Sequence, residues 1–148
     1  MLSEKTVLIT GCGHGGLGAA LAKTFCARGY HVFATIRDKT KAGSLGQIEG
    51  VEILELELTS DESIRQGAAA VEKHTGGSLD ILVNNAGADF CLPLLDTLID
   101  DAKKLYDLNV WGILAMTQAF APMLIKASGT LCNISSVSAV LTFAWSGT

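Results

Sequence analysis

Glycines are concentrated in one short stretch near the start of the chain, directly after the apolar run 7–9. Five of the eight residues from 11 to 18 are glycine. Three of them match the G-x-G-x-x-G spacing, which lets a backbone turn sharply and approach a dinucleotide: Gly11, Gly13 and Gly16. A helical pattern begins at Leu17, so free N–H groups and the positive end of a helix dipole would face the turn. The stretch predicts a phosphate-binding turn, and the alternative is a plain glycine-rich connection.

Polar and small residues also follow the later apolar runs. Arg37 comes after the second run, residues 84–87 (Asn-Asn-Ala-Gly) end the fourth, and Ser136 ends the fifth. Because the carboxyl ends of parallel strands meet at one edge of a sheet, we expect these residues to lie along the same edge as the glycine turn. The predicted site is a ligand cleft at this edge, at the switch between strands 1 and 4.

Strand and helix patterns alternate along the whole chain. The predicted strands are residues 7–9, 31–35, 51–56, 79–87 and 129–136. The predicted helices are residues 17–28, a short one after 37–41, residues 59–74, and residues 96–126 in two pieces. This alternation with right-handed crossovers predicts one α/β domain over residues 1–148. We expect a Rossmann-like, doubly wound parallel sheet with strand order 3-2-1-4-5, truncated after strand 5.

The composition narrows the class of protein. Hydrophobic residues make up 49% of the 148, and the mean hydropathy of +0.37 suits strands that are covered on both faces. A net charge of −4 without a basic cluster argues against a nucleic-acid partner. The longest apolar runs are short for a membrane span, and residues 1–5 lead straight into a strand. We therefore expect a cytoplasmic protein without a membrane span.

Cysteine and histidine give no sign of a metal site. The four cysteines lack metal-ligand and C-x-x-C spacing, and we expect small apolar core residues rather than disulfide partners: Cys12, Cys26, Cys91 and Cys132. His31 and His74 are interpreted as ordinary residues at a strand start and a helix end. The sequence predicts no metal ligands.

Four segments together resemble one family. Asn84-Asn85-Ala86-Gly87 resembles the Asn-Asn-Ala-Gly motif of the short-chain dehydrogenases/reductases, and Leu108-Asn109-Val110 resembles their helix asparagine. Segment 133–137 resembles their Asn-x-Ser-Ser segment, and Thr10-Gly11 with Gly16-Leu17-Gly18 resembles their Thr-Gly…Gly-x-Gly turn. The motifs follow in the family's order over essentially the whole chain. The glycine turn has one extra residue, and in this feature the chain most resembles fungal reductases of the 1-acyldihydroxyacetone-phosphate reductase type.

The resemblance implies a nicotinamide cofactor whose pyrophosphate lies on the glycine turn. The residues implied there are Thr10, Gly11, Gly13, His14, Gly16, Leu17 and Gly18. Arg37 would lie at the adenosine ribose, where an arginine can pair with a 2′-phosphate and an acid would instead bind a free 2′-OH. The family's discriminating acid falls at Ile36, so NADP(H) is expected rather than NAD(H), although Asp38 argues the other way. The alternatives are a solvated Arg37 and an exposed loop histidine at His14.

Further residues are implied at the adenosine end of the cofactor. Glu57, followed by Leu58, occupies the position where the family usually has an aspartate that contacts adenine, and the alternative is a surface charge. Asn84, Ala86 and Gly87 would shape the floor under the adenosine ribose. Their alternative role is to shape the turn that follows the strand.

Two catalytic candidates are also implied by the resemblance. Asn109 would hold a water in a proton relay, and Ser136 would hydrogen-bond a substrate carbonyl or the developing alkoxide. The alternatives are an Asn109 side chain satisfied by neighbouring backbone and a Ser136 hydroxyl that caps the next turn. The implied substrate is a small-molecule carbonyl or alcohol.

The family's Tyr-x-x-x-Lys pair does not occur in the 148 residues. Neither Tyr30 nor Tyr106 has a lysine four residues later. The family's tyrosine acid follows the serine by about thirteen residues, which places it one residue beyond Thr148. We therefore expect a redox-inactive, truncated form of an NADP(H)-dependent reductase. The alternative is a naturally short protein that uses the cleft for non-redox catalysis, as a cyclase or isomerase, or as a non-catalytic binding module.

Two apolar surfaces predict self-association. The helix that contains Trp111 and Met116 is strongly apolar, and strand 5 would form an apolar sheet edge. In the family this helix packs in the subunit interface. We expect a homodimer or a higher oligomer, and a well-behaved monomer at high concentration would contradict this expectation.

Overall fold

The computed structural model describes residues 4–141 and 143–145, and these contain a five-stranded parallel sheet. Its strands are β1 (Thr6–Ile9), β2 (His31–Ile36), β3 (Val51–Glu55), β4 (Ile81–Asn84) and β5 (Thr130–Asn133). They lie in the order β3-β2-β1-β4-β5, so the predicted order 3-2-1-4-5 is confirmed. β2 and β3 lie on one side of β1, and β4 and β5 lie on the other side. The expected ligand cleft therefore lies beyond the carboxyl ends of β1 and β4.

Helices connect the strands on both faces of the sheet. They are α1 (Leu17–Ala27), α2 (Asp61–Thr75), α3 (Ile99–Tyr106) and α4 (Ile113–Ala127). Short 3₁₀ segments cover Lys39–Gln47, Leu94–Asp96 and Val137–Ala139. The predicted stretch 96–126 contains two α-helices, α3 and α4, but a π-helical turn at Asp107–Gly112 joins them without the expected break. Residues 107–112 contain no proline and no pair of glycines that would end a helix. The π-helical turn accommodates an extra residue, so the helical path continues from α3 into α4.

Two apolar cores hold the sheet between its helices. Alternate strand residues point to opposite faces, so Val7 and Ile9 pack with α1 while Leu8 packs with α2 and α4. Phe33 and Phe120 are the largest fully buried side chains, and both lie in the core between the sheet and helices α2 and α4. Burial on both faces is what the continuous apolar strands predicted.

The last strand forms the open edge of the sheet, as expected, but it is shorter than predicted. β5 covers four residues, where the prediction extended it to 136, and all four are exposed. Two cysteines also depart from the prediction of core residues, since Cys91 and Cys132 are exposed while Cys12 is buried and Cys26 is half-buried. All four are free thiols. Their exposure follows from the edge position of β5 and of the loop after β4, which no periodicity in the sequence reveals.

The long helix 99–127 combines a buried and an exposed side. Met116 and Phe120 are fully buried against the sheet, whereas Trp111 is 57% and Leu114 is 48% exposed. Met116 therefore belongs to the core, and the exposed residues of this helix are the ones that a partner could contact. By length and composition alone this helix could cross a membrane, a test that core helices of soluble proteins also pass. Here its second half packs on the sheet.

Candidate functional site

A cleft of about 780 Å³ opens at the carboxyl edge of the sheet. Eight of the predicted cofactor residues line it: Gly11, Gly13, Leu17, Arg37, Glu57, Leu58, Ala86 and Gly87. The cleft wall also contains residues that were not among the predicted cofactor contacts: Thr35, Ile36, Asp38, Lys41, Leu56, Asn85, Ala88 and Leu108. The remaining candidates do not line it: Thr10, His14, Gly16, Gly18, Asn84, Asn109 and Ser136.

The glycine turn is shaped by two close approaches. Gly11 has φ of +73°, and a Cβ there would lie 2.8 Å from the Cα of Ala86. A Cβ on Gly18 would lie 2.5 Å from the carbonyl oxygen of Gly11. Gly16 occupies the N-cap of α1 and has no side chain to accept from the first amides of the helix. Those N–H groups therefore remain available to an anion in front of the helix.

Thr10 and Asn85 support the turn from behind. The buried Thr10 hydroxyl accepts hydrogen bonds from the backbone N–H groups of Asn85 and Ala86, each at 2.9 Å. In return, the Asn85 side-chain amide donates to the carbonyl oxygens of Thr10 (2.8 Å) and Gly11 (3.2 Å). Thr10 therefore joins the ends of β1 and β4 instead of lining the cleft. Asn85 was expected at this edge as part of the Asn-Asn-Ala-Gly motif, but its hydrogen bonds to the turn were not predicted.

Asn84 lies away from the cleft. Its side chain is buried and donates to Asn133 Oδ1 at 2.9 Å and to Thr117 Oγ1 at 3.5 Å. The structure thus places it between β5 and α4, where it fixes the edge strand. Its predicted position in the ribose floor is not supported by this orientation, because successive strand residues face opposite sides of a sheet.

Two cations and one engaged acid lie at the β2 end of the cleft. Arg37 and Lys41 both line it, and the carbonyl oxygen of Lys41 accepts from the backbone N–H of His14 at 2.9 Å. Asp38 Oδ1 accepts from the hydroxyl (2.6 Å) and the backbone N–H (2.9 Å) of Thr40. These bonds to Thr40 lower the pKa of Asp38 below its ordinary value. Asp38 Oδ1 therefore caps the 3₁₀ segment that begins at Lys39, and Arg37 and Lys41 are the two cations of the cleft wall.

Two other turn residues are held by local contacts. The ring of His14 packs against Gly43, where an added Cβ would lie 2.5 Å from Nδ1. Glu57 Oε1 accepts from the backbone N–H (3.3 Å) and the hydroxyl (3.1 Å) of Thr59. Glu57 therefore faces the cleft with a carboxylate that is folded back onto its own turn, and His14 holds the glycine turn against the segment after β2.

Asn109 clamps the loop that follows β4. From the π-helical turn, its Oδ1 accepts from the backbone N–H of Ala88 at 3.0 Å, and its Nδ2 donates to the Ala88 carbonyl at 2.7 Å. This is the alternative of a side chain satisfied by neighbouring backbone. Because Ala88 lines the cleft, the clamp also sets the shape of the cleft wall. π-Helical turns are frequent at functional sites, and this one aims Asn109 at the loop.

Ser136 caps the turn after β5. Its hydroxyl is exposed, accepts from the backbone N–H of Ser138 at 3.2 Å and lies 3.1 Å from the Ser138 hydroxyl. The capping alternative is therefore present in the structure. A capping hydroxyl retains lone pairs and a rotatable proton, so the contact does not prevent a second hydrogen bond.

Cys12 in the glycine turn should resist thiol reagents. Its side chain is fully buried and its Sγ donates to the Ile9 carbonyl at 3.2 Å. Burial raises the pKa of Cys12 to about 12, only partly offset by a backbone hydrogen bond. Because the thiolate is the nucleophile, we expect iodoacetamide at pH 8 to label the exposed Cys91 and Cys132 at least tenfold faster than Cys12, read by peptide mass spectrometry. In denaturant all thiols should react alike, and equal native rates would contradict the buried turn.

The comparison with known proteins agrees with this geometry. The profile of the short chain dehydrogenases matches residues 5–147. The chain belongs to the short-chain dehydrogenase family. The predicted family membership is thereby confirmed.

Individual members of the short-chain dehydrogenase family extend the comparison. The chain is 68% identical over 143 residues to the short-chain dehydrogenase cctT of Talaromyces islandicus, covering 97% of this chain and 50% of that protein. It is 41% identical over 145 residues to the NADPH-dependent 1-acyldihydroxyacetone phosphate reductase of Schizosaccharomyces pombe, covering 98% and 49%. The chain thus spans about half the length of the curated relatives it matches.

A solved structure supports the same fold. The NADPH-bound carbonyl reductase from chicken fatty liver superposes with a TM-score of 0.81 at 31% identity, covering 93% of this chain and 59% of that one. The short-chain dehydrogenase fold therefore extends over the described sheet and helices.

Proposed function

We propose that these 148 residues form the cofactor-binding part of an NADP(H)-dependent oxidoreductase that interconverts a small-molecule carbonyl and an alcohol. The observation that supports the choice of NADP(H) is the pair of cations, Arg37 and Lys41, in the wall of the glycine cleft. One carboxylate oxygen of the acid beside them, Asp38 Oδ1, already accepts two hydrogen bonds from Thr40. Two basic side chains at this point suit a 2′-phosphate. The NADPH named for the Schizosaccharomyces pombe and chicken proteins supports the same choice.

The residues of this chain would divide the binding work along the cleft. The backbone N–H groups at the start of α1, next to the cleft residues Gly13 and Leu17, would bind the pyrophosphate. Arg37 and Lys41 would bind the 2′-phosphate. Ala86 and Gly87 would lie against the adenosine side, with Thr10 and Asn85 holding them in place. A bound NADPH supplies a hydride for a carbonyl carbon.

The catalytic contribution of this chain would come from its two polar candidates. Ser136 would donate a hydrogen bond to the carbonyl oxygen, where negative charge develops as the carbon is reduced. Asn109 would position the Ala88 loop through its two backbone hydrogen bonds. A proton must also reach the alkoxide oxygen, and the family's tyrosine acid with its lysine is not among the 148 residues. We therefore propose that these residues alone bind the cofactor without turning it over.

Cofactor titration of the 148-residue protein tests this proposal. We expect NADPH to bind with enhanced nicotinamide fluorescence and NADH to bind at least tenfold more weakly, with no consumption of NADPH when carbonyl compounds are added. Equal affinity for the two cofactors would contradict the role of the cations, and steady turnover would contradict the inactive state. Conversion of a substrate in the absence of nicotinamide would favour the non-redox alternative.

We also propose that the protein self-associates, through a smaller surface than the whole apolar helix and strand edge that the sequence indicated. The exposed Trp111 and Leu114 remain available on the long helix, together with the open edge of β5. Met116 takes no part, because it is buried in the core. A cytoplasmic location also stays a prediction.

A further inference from the structure

Three side chains with metal-binding atoms meet at the amino-terminal edge of the sheet, away from the cofactor cleft. His31 begins β2, Glu52 is the second residue of β3, and His74 lies in the last turn of α2. One ligand atom from each lies within 4.8 Å of the others. We propose that these three residues form a binding site for a zinc ion.

Two of the three distances between ligand atoms are close to those of a tetrahedral zinc site. Two ligand atoms at 2.0–2.1 Å from a tetrahedral zinc lie about 3.3–3.5 Å apart. Glu52 Oε2 lies 3.6 Å from His31 Nε2 and 3.3 Å from His74 Nδ1. Both imidazoles thus converge on one carboxylate oxygen at the spacing that a shared ion requires. A small rotation of the exposed His74 ring would bring the third separation into range.

One of the ligand atoms has no hydrogen-bond partner in the described part of the chain. His31 Nε2 is buried, and at 3.6 Å from Glu52 it makes no hydrogen bond. Buried polar nitrogens are normally paired, because an unpaired one costs free energy of desolvation. A metal ion between His31 and Glu52 would satisfy this nitrogen and the carboxylate together.

The aromatic surroundings hold the two imidazoles in place. The ring centroid of Phe33 lies 4.8 Å from that of His31 and 5.2 Å from that of His74, both in edge-to-face geometry. The two imidazole rings lie 4.2 Å apart at 31°. Phe33 is fully buried, so it provides a rigid apolar floor beneath the ligand atoms. Pre-organised ligands lose little side-chain entropy when an ion binds.

The donor set selects the ion and its effect. Two imidazole nitrogens with one carboxylate oxygen suit zinc, whereas magnesium and calcium prefer oxygen ligands throughout. The fourth position would be filled by water. His74 lies where the carbonyl end of the α2 dipole favours a cation, so the ion would tie α2 to β2 and β3. This inference does not depend on the proposed oxidoreductase function.

Titration of the chelator-treated protein with zinc chloride in a calorimeter tests the site. We expect one zinc ion per chain and an affinity that falls at least about tenfold in His74→Gln and in Glu52→Gln, as expected when a ligand is lost. Glu55→Gln is the matched control, because it removes an exposed carboxylate from the same strand, and its zinc affinity should stay unchanged. Binding that is absent, or equally strong in His74→Gln, would overturn the proposal.

Cobalt(II) provides a second measurement that needs no variant. In a site with nitrogen and oxygen ligands, bound cobalt should show visible absorption of a four-coordinate ion and no thiolate charge-transfer band. The free thiols of Cys91 and Cys132 are exposed and could bind metal elsewhere. A thiolate band at one equivalent of cobalt would assign the ion to cysteine and would overturn the proposal even if His74→Gln failed to fold.

Discussion

Replacing Gly18 by alanine should destabilise the protein and weaken cofactor binding, although a glycine-to-alanine substitution within a helix usually stabilises a protein. The added Cβ would lie 2.5 Å from the Gly11 carbonyl oxygen and 2.6 Å from Asn85 Nδ2, so the turn or the helix must shift. We expect the free energy of unfolding to fall by about 2–3 kcal/mol, measured by urea denaturation, instead of rising by about 0.5–1 kcal/mol. NADPH affinity should fall at least tenfold, because the amides of α1 would move with the turn.

Gly13→Ala is the matched control for stability in the same turn. Its Cβ would meet nothing within 4 Å, and its backbone lies outside the left-handed region. We expect its unfolding free energy to stay within about 0.5 kcal/mol of the unchanged protein. A Gly18→Ala protein as stable as Gly13→Ala would contradict the close approach of the helix to the turn.

Replacing Arg37 by alanine should remove most of the preference for NADPH. A charge-assisted hydrogen bond to a phosphate contributes about 1.5–3 kcal/mol, so NADPH affinity should fall by roughly 10- to 100-fold. NADH has no 2′-phosphate, and its affinity should change less than about threefold. Fluorescence titration with both cofactors measures the two effects separately. Raising the salt concentration should weaken NADPH binding to the unchanged protein more than NADH binding.

Lys39→Ala is the matched control for this effect. It removes the same charge from the same segment, but Lys39 does not line the cleft. We expect its NADPH affinity to change less than about threefold, since long-range effects of an exposed charge are screened by salt. Equal losses in Lys39→Ala and Arg37→Ala would show a general charge effect and would contradict a specific 2′-phosphate site.

Most of the fold could be predicted from local sequence patterns. The apolar runs, the glycine turn and the capping residues of α2 are short-range signals. Ser60 accepts from the backbone N–H of Ser63, and Gly76 ends the helix with φ of +66°. Alternation of strands and helices then leaves few parallel topologies, because crossovers are right-handed. The continuous path of helix 99–127 was missed because a π-helical turn needs no breaking residue.

The roles of individual site residues could be predicted less well. Arg37, Leu17 and Gly13 line the cleft as their positions at strand and helix ends suggested. Thr10 and Asn84 follow the same logic in sequence, yet their side chains point into the structure and hold β1, β4 and β5 together. Lys41 reaches the cleft because the segment after β2 folds back onto the glycine turn through the His14–Lys41 hydrogen bond. Such directions depend on contacts between distant segments.

The sheet, the phosphate turn and the family motifs could be predicted, because each depends on residues that are close together in the chain. Which side chains meet depends on the tertiary fold. Asn109 reaches Ala88 across 21 residues, and His31, Glu52 and His74 converge although no spacing rule connects them. The parallel register of β2 and β3 and the return of α2 bring them together. The packing of whole helices and strands sets these distances, so short segments of sequence do not predict them.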